Sequence, residues 1–377
     1  MMNLVRLMIV AAIWLGLAVS AQDELVDERI LLTFIPNVQF APFYVGVEDG
    51  YFADAGFNVS LAHLQEPEVL DLVAVGQANF GIVSGEQVIL ARSRGRDVVY
   101  VFEWFQKYPV GLVYSSALDL SDLANLQDMA IGIPGRFGAS YSGLTTLLGS
   151  AGLSEADIDL REIGFNAPEV FCLGVIDAAI VYVNNEPLQI NNLAADGDCG
   201  SVREVDVITV ASQVDLVSNG LIVSRAYLEE NPDAVARMVG GLAGALRSVI
   251  DNPAGAYLAS LAHVDSLPAD EALLKALESA AEEQVDFLAS DPDRGDIARS
   301  RRRLAAELAE RFDRAALTQL NVLLNTIELW DAENIGYSDL SSWEAMRDTL
   351  DSMGFLEDDA GSLQDAFSNR FVTGADW

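Results

Sequence analysis

The stretch FIPNVQFAPFYVGVEDGYFADAGFNVSL, residues 34–61, contains the clearest fold signal in the chain. It continues the apolar, β-branched run ILLTFI, which predicts a buried strand. Pro42 suits the first turn of the helix that follows, and Gly50 suits the end of that helix. A strand, a polar loop and a helix in this order predict the first unit of an α/β sheet.

The same pattern continues to about residue 210 and predicts an α/β protein with a mainly parallel sheet. The further predicted strands are the runs NFGIV, DVVYVFEWF, VGLVYSS, MAIGIP, AAIVYV and VITVA. Ser84 and Gln87 have the spacing of a capping box at a helix start. After about residue 226, runs such as EALLKALESAAEEQV predict a helical C-terminal extension. Arg301 and its neighbours are expected on a solvated face of one of these helices.

The N-terminus and the overall charge predict a protein outside the cytoplasm. Residues 1–21 combine Arg6, an apolar run over residues 7–19 and a small residue at position 21, which predicts a secretory signal peptide. A formal net charge of -35 argues against a nucleic-acid partner, because phosphate binding requires clustered Lys and Arg. We therefore expect a secreted, periplasmic or cell-surface-associated protein that is a monomer.

The chain has two cysteines, Cys172 and Cys199. In an oxidising compartment they can close one disulfide across a moderate loop. They can equally be two buried thiols, because Cys172 lies in an apolar run with helical character. Two cysteines and two distant histidines, His63 and His263, lack the ligand spacing of a zinc site, so neither a metal nor a cofactor is expected.

Two extended segments, residues 114–116 and 217–224, bracket a self-contained α/β block. A chain that leaves one lobe, builds a second and returns makes two adjacent connections that can act as a hinge. We therefore expect a ligand cleft between two lobes. The predicted ranges are a signal peptide at residues 1–21, lobe 1 at residues 28–115 plus 217–377, and lobe 2 at residues 116–216.

A catalytic set is not apparent in the sequence. With two histidines in ordinary surroundings, no Ser/His/Asp or Cys/His arrangement stands out. The spaced glycines of GIPGRFGAS do not form a Walker phosphate-binding loop. The sequence therefore predicts a binding protein and not an enzyme.

Several runs resemble those of a known family. Residues 34–61 and the run VLDLVAVGQANFGIVSGEQVILARSRGRDVVYVFEW resemble the start of periplasmic binding proteins of the thiamine-pyrimidine-precursor and nitrate/sulfonate/taurine group. The resemblance continues through IGIPGRFGASYSGL, IDAAIVYVNNEP and SNGLIVS, and so covers about residues 30–260. It implies a type II periplasmic-binding fold, whose two lobes close on a small molecule and present it to an ABC permease in the membrane. The PNVQFAPFYV and SGEQ patterns also resemble those of riboflavin-binding relatives in this group.

Ligands of open α/β sheets bind beyond the carboxyl ends of the strands. Five segments have this placement, at residues 37–44, 84–87, 103–108, 135–141 and 182–186. With Asn219 of SNGLIVS, the candidate ligand-binding residues are Asn37, Phe40, Tyr44, Ser84, Glu86, Trp104, Gln106, Tyr108, Gly138, Ser140, Tyr141, Tyr182, Asn184, Glu186 and Asn219. Core packing is the alternative for the aromatic residues, and helix capping is the alternative for Ser84.

The ligand class follows from the composition of these segments, which contain Asn, Gln, Glu and aromatic residues and only two basic residues, Lys107 and Arg136. Aromatic rings stack on a flat heteroaromatic ring, and a carboxylate pairs with its amino group or ring nitrogen. A thiamine-type aminopyrimidine and riboflavin both fit, and the sequence does not separate them. Two alternatives stay open: a binding protein for sulfonate, taurine or nitrate, and a pyrimidine-synthesising enzyme on the same fold.

Overall fold

Two five-stranded sheets form the centre of the protein in a computed structural model that describes residues 25–356 and 361–372. The predicted signal peptide lies outside these residues. The strands are β1 (Val26–Leu32), β2 (Phe57–His63), β3 (Phe80–Ser84), β4 (Val98–Glu103), β5 (Val110–Ser115), β6 (Ala130–Ile133), β7 (Asp159–Glu162), β8 (Ala178–Tyr182), β9 (Val205–Thr209) and β10 (Asn219–Ser224). The first sheet has the order β2-β1-β3-β10-β4, and the second has the order β7-β6-β8-β5-β9.

Helices flank both sheets and make up most of the chain after β10. They are α1 (Ala41–Glu48), α2 (Tyr51–Asp54), α3 (Glu66–Ala74), α4 (Gly85–Ser93), α5 (Gly138–Ser150), α6 (Ala167–Cys172), α7 (Glu186–Asp196), α8 (Arg225–Glu230), α9 (Pro232–Asp251), α10 (Pro253–Ser260), α11 (Glu271–Leu288), α12 (Arg294–Ala309), α13 (Arg314–Trp330) and α14 (Leu340–Ser352). The predicted α/β class and helical C-terminal extension are confirmed. A bilayer-spanning helix is not found among the described residues, since none of their helices combines the required length with enough apolar character.

The sheets are mixed and not mainly parallel as predicted. β1 pairs in parallel with β2 and β3, and β6 pairs in parallel with β7 and β8. In contrast, β10 and β5 run antiparallel to both of their neighbours. Each of these two strands comes directly after the chain has passed from one sheet to the other. Each therefore enters its sheet from the edge that faces the other sheet, against the direction of the parallel strands.

The chain passes between the sheets twice, through residues 104–109 after β4 and residues 210–218 after β9. β5 hydrogen-bonds to β8 and β9 of the second sheet, although the predicted range of lobe 1 includes it. The predicted boundary and the sheet differ because the chain crosses to the second sheet through residues 104–109, before β5 begins. The lobe ranges themselves remain predictions.

The core of the first sheet extends into the C-terminal helices. α9 buries Val235, Met238, Val239 and Leu242, which recur at the spacing of one helix face, and packs against α1. The second sheet has a smaller cluster that includes Phe171 and the disulfide-bonded Cys199. The disulfide joins Cys172, at the end of α6, to Cys199, after α7, with a Cα–Cα distance of 4.1 Å. Of the two alternatives for the cysteines, the disulfide is therefore the one that is found.

Arg301 of α12 departs from the solvated face predicted for it, because its side chain is buried. Its guanidinium group lies 3.0 Å from the carboxylate of Asp331 and donates to the carbonyl of Ile250 at 3.2 Å. A charged side chain is rarely buried unless it is paired and hydrogen-bonded in this way. Arg301 therefore links α12 to the end of α9 and to the residue that follows α13.

Candidate functional site

A cavity of about 80 Å³ lies between the two sheets, at the carboxyl ends of their parallel strands. The aromatic residues that line it are Phe34, Phe40, Trp104, Phe105, Phe137, Phe165 and Tyr182. The polar side chains that line it belong to Thr33, Gln39, Glu66, Ser140, Glu186 and Asn219. Within the described part of the chain, no arginine, lysine or histidine lines this cavity. The site is therefore aromatic and rich in hydrogen-bond acceptors.

Trp104 is the centre of an aromatic cluster on the first connection between the sheets. Its ring lies 5.2 Å from Phe40, 4.7 Å from Phe105 and 5.9 Å from Trp330 of α13, measured between centroids. The indole Nε1 of Trp104 is buried and has no hydrogen-bond partner among the described residues. A flat ring in the cavity would contact the cluster as a preformed apolar platform.

Phe34 and Phe165 meet across the cavity, with ring centroids 4.6 Å apart in an edge-to-face arrangement. Phe34 follows β1 of the first sheet, and Phe165 follows β7 of the second sheet. Phe34 has a φ of 62°, a left-handed conformation that is unfavourable for a bulky residue. Strain of this kind is concentrated at functional sites. The pair brings the two walls of the cavity into contact.

Glu66, at the start of α3, is the polar centre of the wall formed by the first sheet. Its Oε1 accepts a hydrogen bond from the backbone N–H of Ser84 at 2.5 Å and also contacts Ser84 Oγ. Ser84 Oγ in turn contacts Oε1 of Glu86. Burial raises the pKa of Glu66, and burial together with the nearby Glu66 carboxyl raises the pKa of Glu86 to about 8.

Glu186, at the start of α7, is the polar centre of the wall formed by the second sheet. Its Oε2 accepts the backbone N–H of Tyr182 at 3.0 Å, and its Oε1 accepts Nδ2 of Asn185 at 3.1 Å. Burial raises the pKa of Glu186 to about 7. At neutral pH its carboxyl group can therefore both accept and donate hydrogen bonds.

Direct hydrogen bonds also join the two walls. Asn184 Nδ2 donates to Gln39 Oε1 at 2.7 Å and to Thr326 Oγ1 of α13 at 2.6 Å. The hydroxyl of Tyr182 donates to Asn219 Oδ1 at 2.7 Å. The second sheet is thus tied to the first sheet and to a C-terminal helix. The described arrangement is that of a closed cleft.

The structure brings seven of the predicted site residues to the cavity wall, namely Phe40, Trp104, Gly138, Ser140, Tyr182, Glu186 and Asn219. Ser84 and Glu86 lie behind Glu66 and do not line the cavity. The predicted capping box at Ser84 is wrong, because its side chain contacts the two carboxyl groups and makes no capping bond to α4. The roles of all these residues in ligand binding remain predictions.

Three further predicted residues, Asn37, Tyr44 and Gln106, also lie off the cavity wall. Asn37 Oδ1 accepts the backbone N–H of Gln39 at 2.9 Å and so shapes the loop after β1. The ring of Tyr44 stacks on His263 at 4.6 Å. Gln106 Nε2 donates to the carbonyl of Glu103 at 2.7 Å.

Tyr108, Tyr141 and Asn184 complete the predicted residues that the cavity does not contact. The ring of Tyr108 is buried, and its hydroxyl donates to the carbonyl of Ala139 in α5 at 2.8 Å. The ring of Tyr141 stacks on Phe355 at 5.7 Å. The hydrogen bonds of Asn184 join the walls of the cleft, as described above.

Sequence reasoning missed Glu66 and Phe165 because it did not assign β2 or β7 as strands. Glu66 follows β2 and Phe165 follows β7, so both lie at the edge of a sheet that faces the cavity. The alternation of apolar and polar residues in FNVSLAH is a usable strand signal for β2. The run DLRE of β7 has no comparable signal.

The family comparison agrees with this architecture. The profile described as NMT1/THI5 like matches residues 37–256. The riboflavin-binding protein RibY of Chloroflexus aurantiacus is 29% identical over 368 residues, which are 96% of this chain and 90% of that protein. A formylaminopyrimidine-binding protein of Halalkalibacterium halodurans is 26% identical over 71% of this chain and 79% of that protein. A 4-amino-5-hydroxymethyl-2-methylpyrimidine phosphate synthase of Legionella pneumophila is 20% identical over 44% of this chain and 52% of that protein.

Solved structures share the fold at low sequence identity. The ligand-binding component of an ABC-type import system from Staphylococcus aureus has a TM-score of 0.61 and 10% identity, and the match covers 93% of this chain and 99% of that one. The alkanesulfonate-binding protein SsuA of Xanthomonas axonopodis has a TM-score of 0.51 and 19% identity, over 72% and 96% of the two chains. The predicted type II periplasmic-binding fold is thereby confirmed.

Proposed function

The chain belongs to the NMT1/THI5-like family, and we propose that it is the substrate-binding component of an ABC importer for a neutral heteroaromatic compound of the riboflavin type. The observation that carries this proposal is the cavity lining, which combines seven aromatic residues with two carboxyl groups and, in the described part, no basic side chain. Aromatic side chains stack on the faces of a flat ring, and carboxyl groups bind its N–H edge. Both walls of the cleft supply groups of both kinds.

Riboflavin is the first candidate ligand, and an aminopyrimidine is the second. The relative named for riboflavin matches 96% of this chain, whereas the relative named for formylaminopyrimidine matches 71%. Both ligands place a ring N–H or amino group beside an acceptor atom, which suits a wall with an acidic side chain. The two relatives therefore support one chemical class of ligand.

Sulfonates and nitrate are disfavoured by the charge of the site. An anion in a dry cleft needs a cation or several aimed N–H donors, and here the N–H groups at the start of α5 lie beside the carboxyl group of Glu66. Glu66 and Glu186 face the cavity from opposite walls, and ionised carboxylates repel an anion. The structural likeness to an alkanesulfonate-binding protein reflects a shared fold, since a fold hosts many ligands.

Ligand entry requires the lobes to separate. The cavity of about 80 Å³ is smaller than the roughly 150 Å³ of an engineered protein cavity that holds benzene. We propose residues 104–109 and 210–218 as the hinge between lobe 1 and lobe 2, because the chain passes between the sheets at these two points. Separation of Phe34 from Phe165 would open the cavity, and closure on a ring would bury it.

The proposed location is outside the cytoplasm, with a membrane permease as partner and the monomer as the working form. The signal-peptide pattern of residues 1–21 supports export. The disulfide between Cys172 and Cys199 supports an oxidising compartment. The small ligand would then be delivered by the closed form of the protein.

A binding role is favoured over catalysis by the names of two relatives, and the distant synthase relative makes enzyme activity the second candidate. In the ranges 25–356 and 361–372, no cluster of three or more His, Cys, Asp or Glu side chains is placed to hold a metal. Mass spectrometry of ligand recovered after overnight incubation distinguishes the two roles. We expect unchanged ligand, whereas conversion would favour an enzyme.

The ligand class is tested by thermal shift and by quenching of flavin fluorescence. The protein lacking residues 1–21 is titrated with riboflavin, formylaminopyrimidine, taurine and nitrate. A ligand that binds the native state raises the melting temperature by mass action. We expect a rise with riboflavin, quenching of its fluorescence by the cavity aromatics, and no response to taurine or nitrate. A response to the anions with none to the ring compounds would overturn the proposal.

A further inference from the structure

The two oxygens of Glu66 have different surroundings. Oε1 is held by the N–H and the hydroxyl of Ser84. Oε2 has no hydrogen bond within the described residues and lies against Gly138 of the opposite wall, where an added Cβ atom would overlap it. The Glu66 side chain lines the cavity, yet the residue is only 7% exposed. Oε2 is therefore an acceptor without a protein partner, on a largely buried side chain, and it is directed at the space a ligand would fill.

The number of available protons determines the direction of the hydrogen bonds among Glu66, Ser84 and Glu86. Ser84 Oγ contacts Glu66 and Glu86, but one hydroxyl has one proton to donate. The other contact therefore needs a proton from a carboxylic acid. Oε2 of Glu86 is buried without a partner, which disfavours a negative charge there. Glu66 Oε1 receives two hydrogen bonds, which favour the charge on Glu66. The chain of donors thus runs from Glu86 through Ser84 to Glu66.

Within the described ranges, the groups that act on this pair from neighbouring elements do not supply a positive charge. The phenols of Tyr108 and Tyr182 lie near both carboxyls, the phenol of Tyr100 lies near Glu86, and burial raises the pKa of all three phenols. Gln87 Nε2 lies 3.5 Å from Glu86 Oε1. Glu103 and Glu186 are the further acidic groups around these tyrosines. The arrangement of donors is therefore set by hydrogen bonds and not by an ion pair.

Hydrogen-bond donors lie beside Glu66 Oε2 at the start of α5. Gly138, Ala139 and Ser140 line the cavity and begin this helix, whose first N–H groups have no partner within the helix and no side-chain cap from Phe137. Gly138 has a φ of 66° and no side chain, which allows Glu66 to approach. An acceptor and several donors are thus adjacent on one surface.

On the basis of the proposed function, we propose that Glu66 is the residue that selects the ligand ring, with Oε2 accepting a ring N–H while the α5 N–H groups donate to the adjacent carbonyl. The class of ligand that fits is a cyclic imide or amide, such as the pyrimidine portion of a flavin. Ser84 and Glu86 are positioning residues that hold the carboxylate. Glu86 keeps the proton, and Glu66 presents an acceptor to the ligand.

A pair of ligands and a pair of variants test this assignment. Riboflavin and its N3-methyl derivative are titrated against the wild type, Glu66→Gln and Glu68→Gln. Glu68 is the matched control, because it lies two residues after Glu66 in the first turn of α3 and its side chain is exposed. In Glu66→Gln the N–H and hydroxyl groups of Ser84 can still donate to the amide oxygen, and the NH₂ group of the new side chain then faces the cavity.

We expect N3-methylation and Glu66→Gln each to weaken binding on the order of tenfold, with no further loss when the two are combined. Glu68→Gln should bind both compounds as the wild type does. The role of Glu66 would be overturned if the two losses of affinity add when the changes are combined, or if the wild type binds riboflavin and its N3-methyl derivative equally well. The proposed function would stand in both cases. A wild type that binds no flavin would instead overturn the proposed function. Melting curves establish that each variant is folded. If Glu66→Gln does not fold, the comparison of riboflavin with its N3-methyl derivative on the wild type decides the assignment.

Discussion

Glu66 and Glu186 face one cavity from opposite sheets, but they are held by different kinds of partner. Glu186 accepts hydrogen bonds from Tyr182 and Asn185, which are its neighbours in the sequence. Glu66 depends on Ser84, which follows it by 18 residues, and through Ser84 on a second buried carboxyl. The carboxyl group of the second wall is therefore held by residues of its own strand-to-helix turn. The carboxyl group of the first wall is held by residues that packing across a sheet brings together.

The largest expected effect comes from Gly138→Ala, which changes the point where the two walls touch. The added Cβ atom would overlap Glu66 Oε2, and alanine is strained at a φ of 66°. We expect riboflavin affinity to fall on the order of 100-fold, because Glu66 must move away from the start of α5. Fluorescence titration measures the loss.

Gly149→Ala is the matched control for this prediction. Gly149 lies in the same helix, α5, and a Cβ atom there meets no atom within 4 Å. We expect unchanged affinity and equal or slightly higher stability, since alanine is the better helix former. If Gly138→Ala binds riboflavin as tightly as Gly149→Ala, the two walls do not act together.

A smaller effect is expected from Glu186→Gln. Loss of one carboxylate acceptor should weaken riboflavin binding on the order of tenfold. Burial raises the pKa of Glu186 to about 7, and a ligand N–H favours the ionised form. Wild-type affinity should therefore increase from pH 6 to pH 8, and the increase should disappear in the variant. A slope that persists in Glu186→Gln would assign the titration to another group, such as the Glu66 network.

The smallest expected effect is on the stability of the unliganded protein. The pKa of Glu86 and of Glu103 is raised by burial to about 8 in the folded state, so the folded state holds protons that the unfolded chain releases above its ordinary carboxyl pKa. This contribution to stability is complete below about pH 4.5 and is lost as the pH rises to 8. We expect the melting temperature to be higher at pH 6 than at pH 9, by on the order of 5 °C.

Glu86→Gln tests the origin of this pH dependence, because a neutral amide does not ionise at high pH. The variant should show a smaller difference between pH 6 and pH 9 than the wild type, as measured by thermal unfolding without ligand. A melting temperature that rises with pH in the wild type would contradict the buried, protonated state of these carboxyls.

Much of the fold was predictable because its signals are local. The seven predicted strand runs all correspond to strands, and the predicted helical run EALLKALESAAEEQV corresponds to α11. The half-buried edge strand β2 and the short strand β7 were missed because they lack a continuous apolar run. The direction of β5 and β10 was also missed, because strand direction depends on where the chain crosses between the sheets.

The sequence by itself determined the alternating α/β order, the aromatic segment around Trp104 and the placement of Glu186 between a strand and Pro187. Each of these follows from residues that are close together in the chain. Only the tertiary structure decided that Glu66 reaches the cavity, that Ser84 serves two carboxyls and that Gly138 lies opposite them. Burial and protonation are set by neighbours in space, and for this wall those neighbours come from distant parts of the chain.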